Sequence, residues 1–131
     1  SYHMAFLRPD ATTIGSIYQN SATTVGFYTT SDIRIKTNIH DTKLGLKTVM
    51  NIDVKDYNYK EDLTNEQTGF IAQQLYEQFP QAVSKGGDDA KTEPWMVDYG
   101  KLTPLLVKGM QEQQAQIEAL KVEIEKLKAS K

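Results

Sequence analysis

Toward the end of the chain the side chains follow one stripe. Leu106, Met110, Gln113, Ile117, Leu120, Ile124 and Leu127 step by four and three residues in alternation, with a single polar interruption. This is a heptad seam, with Met110, Ile117 and Ile124 at a and Gln113, Leu120 and Leu127 at d, and it predicts a coiled-coil helix over residues 100–131. Glu123 at g and Lys128 at the following e have the spacing at which a parallel partner chain supplies the opposite charge. Pro104 fits the first turn of this helix or marks a kink. The competing reading is one amphipathic helix folded back on its own domain. Ile at a with Leu at d favours dimers, whereas Gln113 at d can specify register or another state, so the pattern alone leaves the stoichiometry open.

The pattern upstream is different. From Ala5 to Thr30 threonine, glycine and aromatics dominate, and only Arg8 and Asp10 are charged. The similar pieces TTIGSIY and TTVGFYTT flank the turn-prone QNSA and predict two short strands. An isolated hairpin is marginal in water, so this segment is expected to continue a longer β structure or to pair with copies of itself. The first residues, Ser1 to Met4, read as a cloning remnant and are set aside from fold reasoning.

Between these parts, residues 31–99 mix both periods. DIRIK alternates like a half-buried strand, and Asp41 is placed to cap a short helix over TKLGLKTVM. VKDYNYK alternates again, and TGFIAQQLYEQFP predicts a helix stopped by Pro80. QAVSKGGDDAKTEPWMVDY reads as two strands around Gly86 and Gly87, with a flexible acidic tip at Asp88 and Asp89. The expected class is α+β: a β segment over 5–30, a mixed helix and hairpin domain over 31–99, and a long C-terminal helix.

Composition narrows the function. With 131 residues, 39% hydrophobic and 24% charged, the chain has a globular composition. A net charge of -2, with scattered lysines and arginines, disfavours a nucleic-acid partner, and no apolar run is long enough for a membrane-spanning helix. Cysteine is absent, which removes disulfides and thiolate chemistry, and His40 is the one histidine outside the set-aside residues, so no multi-histidine metal site is expected.

Few residues stand out as chemistry. Ser31, His40 and Asp41 supply the letters of a triad, but an adjacent His-Asp pair is poorly placed for the usual relay. Asp88 and Asp89 read as a solvated turn, and Trp95 as a packing anchor. Ser31 with Lys36 is the better pair, since a neutral lysine can serve as the base for a serine nucleophile. Their i,i+5 spacing shares a face in neither a strand nor a regular helix, so a turn or a partner chain must bring them together.

SDIRIKTNI, residues 31–39, resembles the signature that opens the intramolecular chaperone auto-processing domain of phage tailspikes, tail fibres and endosialidases, a domain also found in myelin regulatory factor. YNYK at Tyr57–Lys60, TGFIAQQLYEQFPQAV at Thr68–Val83 and VDYGKLTPLLVKGMQEQQAQI at Val97–Ile117 are similar to further blocks in the same order. The resemblance implies an endosialidase-type peptidase without metal or cofactor. It holds three chains in register while the upstream β-rich fibre region of the same chain folds, then cuts itself away between Thr30 and Ser31. By the same resemblance Ser31 is the nucleophile and Lys36 the general base, with Asp32, Arg34 and Asn38 in support and Gly69 and Gln73 in a further, structural motif. The expected partners are two more copies of the chain and that fibre region. The expected setting is the host cytoplasm during virion assembly, with residues before Ser31 kept in the virion tail fibre and the rest released. The alternatives are a noncatalytic trimerisation and receptor-binding tip, or a chaperone that has lost proteolysis. Gly86–Lys91 is a candidate arm for grasping the β segment.

Overall fold

The computed structural model describes residues 3–131 and is α+β, with seven strands in three small sheets and a long C-terminal helix. The chain forms two compact units, one running to Asp41 and the other from Thr42 to Lys131. Of the four residues set aside above, Ser1 and Tyr2 lie outside the described residues, and His3 and Met4 open the first strand.

The first unit is an antiparallel meander, β1 (His3–Leu7), β2 (Thr13–Gln19) and β3 (Val25–Thr29), with β2 central. Threonines, aromatics and β-branched residues suit such strands. The β1–β2 turn closes through Ala11 N–H to the Arg8 carbonyl at 2.9 Å and Asp10 Oδ1 accepting from Thr12 N–H at 3.0 Å. Ala11 sits there at φ 65°, a left-handed conformation that an asparagine or glycine adopts at less cost. Between β2 and β3, Tyr18 and Tyr28 stack with ring centroids 4.7 Å apart. Among the described residues the sheet has no buried hydrophobic core: Phe27 is 78% exposed, and Met4, Phe6, Leu7, Ile14 and Val25 are exposed as well.

The second unit contains the core. Its elements are α1 (Leu46–Met50), β4 (Lys55–Tyr59), β5 (Asp62–Gly69), α2 (Ala72–Gln78), β6 (Val83–Ser84), β7 (Met96–Val97) and α3 (Leu102–Ala129). Leu75, Phe79 and Ala82 bury against Leu102 and Leu105, with Val49, Ile52, Phe70, Val83 and Val97 packed around them. Pro104 occupies the first turn of α3, where its missing N–H has no intrahelical acceptor to lose. Asp98 caps the short turn before α3 by accepting from Gly100 N–H at 3.0 Å.

The expected cap for α1 is corrected. The helix starts at Leu46, not near Asp41, and the Leu46 N–H faces Glu112 Oε1 of α3 at 3.4 Å. Gly109 of α3 lets α1 approach, since a Cβ there would meet Val49 Cγ2 at 3.1 Å. The face of α3 used for this docking is Leu102, Leu105 and Gly109. The predicted seam residues take no part in this docking and are exposed, from Leu106 and Met110 through Ile117, Leu120, Ile124 and Leu127. The helix therefore does not fold its heptad stripe back onto its own domain. No helix among the described residues is long and apolar enough to cross a membrane.

Candidate active site

The segment after β3 begins by staying attached to β2. Thr30 N–H donates to the Ile14 carbonyl at 3.0 Å, and Thr30 Oγ1 donates to the Thr13 carbonyl, also at 3.0 Å. The register Gly15↔Thr29 thus extends by one half-rung and one side-chain bond. A Cβ at Gly15 would stand 2.8 Å from the Tyr28 carbonyl oxygen, so glycine at this position lets β3 seat close beside β2.

Directly after Thr30 the chain turns. DIRIK is not a strand: Ile33–Ile35 form a single 3-10 turn, closed by Ile35 N–H to the Asp32 carbonyl at 3.2 Å and Lys36 N–H to the Ile33 carbonyl at 3.1 Å. The alternation misleads because Ile33 and Ile35 have no sheet neighbour and are 73% and 64% exposed. Asp32 supplies the reason for the turn. Its Oδ1 accepts from Arg34 N–H at 2.8 Å, an N-cap, while the Arg34 guanidinium forks onto both carboxylate oxygens at 2.7–3.1 Å. The Arg34 side-chain bonds first, and its backbone N–H second, hold the Asp32 carboxyl below the usual carboxylate range.

The turn resolves the spacing problem. Asp32 and Lys36 flank it in extended conformation, and the Lys36 Nζ donates to Ser31 Oγ at 2.6 Å. A hydroxyl and an amine at this distance can exchange a proton directly. Asn38 then adopts φ 53°, a left-handed conformation asparagine tolerates, and its carbonyl meets His40 Nδ1 at 2.7 Å. Among the described residues no hydrogen bond joins His40 to Ser31 or Asp41, which disposes of the triad. Ser31 and Lys36 are both exposed in the single chain.

The remaining marked residues serve packing. Gly69 is buried, and a Cβ there would come within 2.7 Å of the Tyr99 hydroxyl and 3.2 Å of the Tyr57 hydroxyl. Gln73 lines a groove with Tyr57, Tyr59, Phe70 and Tyr99. Trp95 meets Tyr76 edge to face at 5.4 Å, with Lys85 Nζ over both rings. The Gly86–Lys91 tip folds on itself, Asp89 accepting from Lys91 N–H at 2.9 Å and from Glu93 N–H at 2.8 Å. No cluster of three or more potential metal ligands occurs among the described residues.

Sequence reading missed Thr13 and Ile14, which hold Thr30, and Glu112, which faces the start of α1. These contacts join residues 17 and 66 positions apart in the side-chain cases, and no local pattern announces them.

Residues 31–84 match the family model described as chaperone of endosialidase, and the match begins at Ser31. The family is one of self-cleaving peptidases. No curated protein matches the chain.

Proposed function

Since residues 31–84 match the family model described as chaperone of endosialidase, we propose that the chain is a C-terminal chaperone of the peptidase kind that assembles as a homotrimer, aids the folding of a phage tail-fibre or tailspike β region, and then cuts itself between Thr30 and Ser31. The observation that carries this reading is the 2.6 Å contact between Lys36 Nζ and Ser31 Oγ at the first residue of the family match.

The proposed reaction uses only the chain and water. Neutral Lys36 accepts the hydroxyl proton as Ser31 Oγ bonds to the Thr30 carbonyl carbon, closing a five-membered ring. The Thr30–Ser31 C–N bond then breaks, and the proton held by Lys36 passes to the departing Ser31 nitrogen, which becomes a free amine. The Thr30 acyl group is left as an ester on Ser31 Oγ. Water adds to that ester, giving the Thr30 carboxylic acid, which ionises, and restoring the hydroxyl. Nucleophile and target are neighbours in sequence, so proximity is built in. A lysine works as a base only as the neutral amine, a form favoured by removal from water or by positive neighbours. Exposed Ile33 and Ile35 lie in the turn between Ser31 and Lys36, and their covering by a second chain would supply that environment. Cutting then follows assembly. After it, residues before Ser31 stay with the fibre and the remainder leaves.

Trimerisation is supported by the uncovered heptad seam of α3 and by the uncovered apolar residues of the β1–β3 sheet. Tethering three C-termini raises the effective concentration of β segments whose contacts are non-local and slow to form.

The test is the denatured intact mass of freshly purified protein whose native mass is that of a trimer. Two fragments, 1–30 and 31–131, are expected. A trimer that stays whole would instead point to a noncatalytic assembly and receptor-binding tip.

Asp32 gives a finer expectation. Asp32→Ala removes both cap and fork and is expected to slow cutting several-fold, whereas Asp32→Asn keeps an oxygen that accepts from Arg34 N–H and should cut faster than Asp32→Ala. Time courses of fragment appearance would check the order, and equal rates in the two variants would remove the cap from the account.

A further inference from the structure

The chemistry above leaves open how the site senses that the β region has folded. We propose that Thr30 is a positioning residue that makes cleavage contingent on the pairing of β3 with β2, by fixing the acyl half of the scissile bond on the sheet. The proposal rests on the autoproteolysis reading and adds a requirement to it.

The two halves of the Thr30–Ser31 bond are held by different elements. On the amine side, the Asp32-capped turn places Lys36 against Ser31 through contacts wholly within residues 31–36. This half needs no sheet. On the acyl side, Thr30 is held by its N–H to Ile14 and its hydroxyl to Thr13, contacts that exist only when β3 lies on β2 in the native register. A one-residue slip would turn the Thr30 side chain to the other face of the sheet and detach the hydroxyl from Thr13. The geometry of the amine half can thus form in any chain, and that of the acyl half only in a folded one.

Thr30 is suited to this task. As a β-branched residue it favours the extended conformation that continues β3. Its hydroxyl adds a second attachment just past the last strand pair, where the backbone leaves the sheet and would otherwise fray. Gly15 serves the same end from β2 by admitting β3 closely. Fixing the carbonyl matters because rates of tethered reactions depend steeply on the angle and distance of attack.

The test compares parent, Thr30→Val and Thr30→Ser as purified trimers. Valine keeps the shape, the β preference and the backbone bond to Ile14, and lacks only the hydroxyl. Cleavage of Thr30→Val is expected to slow about tenfold while Thr30→Ser stays within about threefold of the parent. Native mass and thermal unfolding should be unchanged in both, so that a rate difference is not a folding defect. Thr30→Val cutting at the parent rate overturns the proposal and leaves the autoproteolysis reading standing, and Thr30→Ser as slow as Thr30→Val overturns it too, because the hydroxyl is then not the cause. A second readout separates the two ideas: hydrogen exchange of the residue 30 amide in uncut chains. It should be slow in the parent and in Thr30→Ser and faster in Thr30→Val. A trimeric parent that never cuts overturns both the reading and the coupling, and the exchange pattern then reports whether the attachment exists in its own right.

Discussion

Ser31→Ala is expected to remain one full-length chain under conditions that split the parent, and Lys36→Ala is expected to do the same on the timescale of purification. The two losses have different causes. Without Oγ there is no atom to form the ester, so the route to cleavage disappears. Without Lys36 the nucleophile remains but loses its proton acceptor at 2.6 Å, and a positioned general base contributes a factor of about 100 to 10,000 in rate. Lys36→Arg sharpens the distinction. It keeps a positive charge near Ser31 and the ability to donate to it, but a guanidinium does not give up its proton at accessible pH. If lysine acts as a base, Lys36→Arg fails with Lys36→Ala; if it only anchors Ser31, Lys36→Arg retains substantial cutting. Intact mass after denaturation, followed over hours for all three variants, decides between them. The proposal for Lys36 falls if Lys36→Ala matches the parent.

How much of this was legible in the sequence depends on how local the cause is. The heptad stripe of α3 follows from a period of seven, the strands β2 and β3 from two similar threonine-rich pieces around a turn, and the helix that Pro80 ends is found as α2, Ala72–Gln78. The candidate pair, Ser31 with Lys36, was picked out by residue chemistry, but spacing argued against it and only the resemblance at Ser31–Ile39 favoured it. The rule that i,i+5 residues do not share a face holds for regular elements, and Ser31 and Lys36 lie on either side of one turn instead. That turn is specified by Asp32 and Arg34, a capping pair two residues apart inside an alternating run, and the alternation hid it. Strand β1 escaped because two of its five residues, His3 and Met4, were set aside as a remnant. The start of α1 escaped because its partner, Glu112, comes from the far end of the unit.

Replacing two seam isoleucines, Ile117→Glu with Ile124→Glu, is expected to convert the proposed trimer to a monomer and to stop cleavage with it. Glutamate preserves helix propensity, so α3 should persist. Burying one isoleucine stabilises a core by about 1.5–3 kcal/mol, so a single seam position summed over three chains contributes roughly 5–9 kcal/mol. Two positions exceed the ~8 kcal/mol that separates a micromolar complex from its free parts, and introduced carboxylates would also repel one another in the seam. The second unit should stay folded, because its core uses Leu102 and Leu105 of α3, and Ile117 and Ile124 are exposed outside it. Trp95, held between Tyr76 and Lys85, reports on that through an unchanged emission spectrum. Light scattering gives the native mass and the denatured mass gives the cut. A variant that is still trimeric shows that the seam does not hold the chains together. A folded monomer that cuts as fast as the parent shows that Ser31 and Lys36 need no second chain, and the coupling of release to assembly must then be abandoned. A folded monomer that stays whole ties cleavage by Ser31 and Lys36, in one compact unit, to assembly through the seam of α3, in the other.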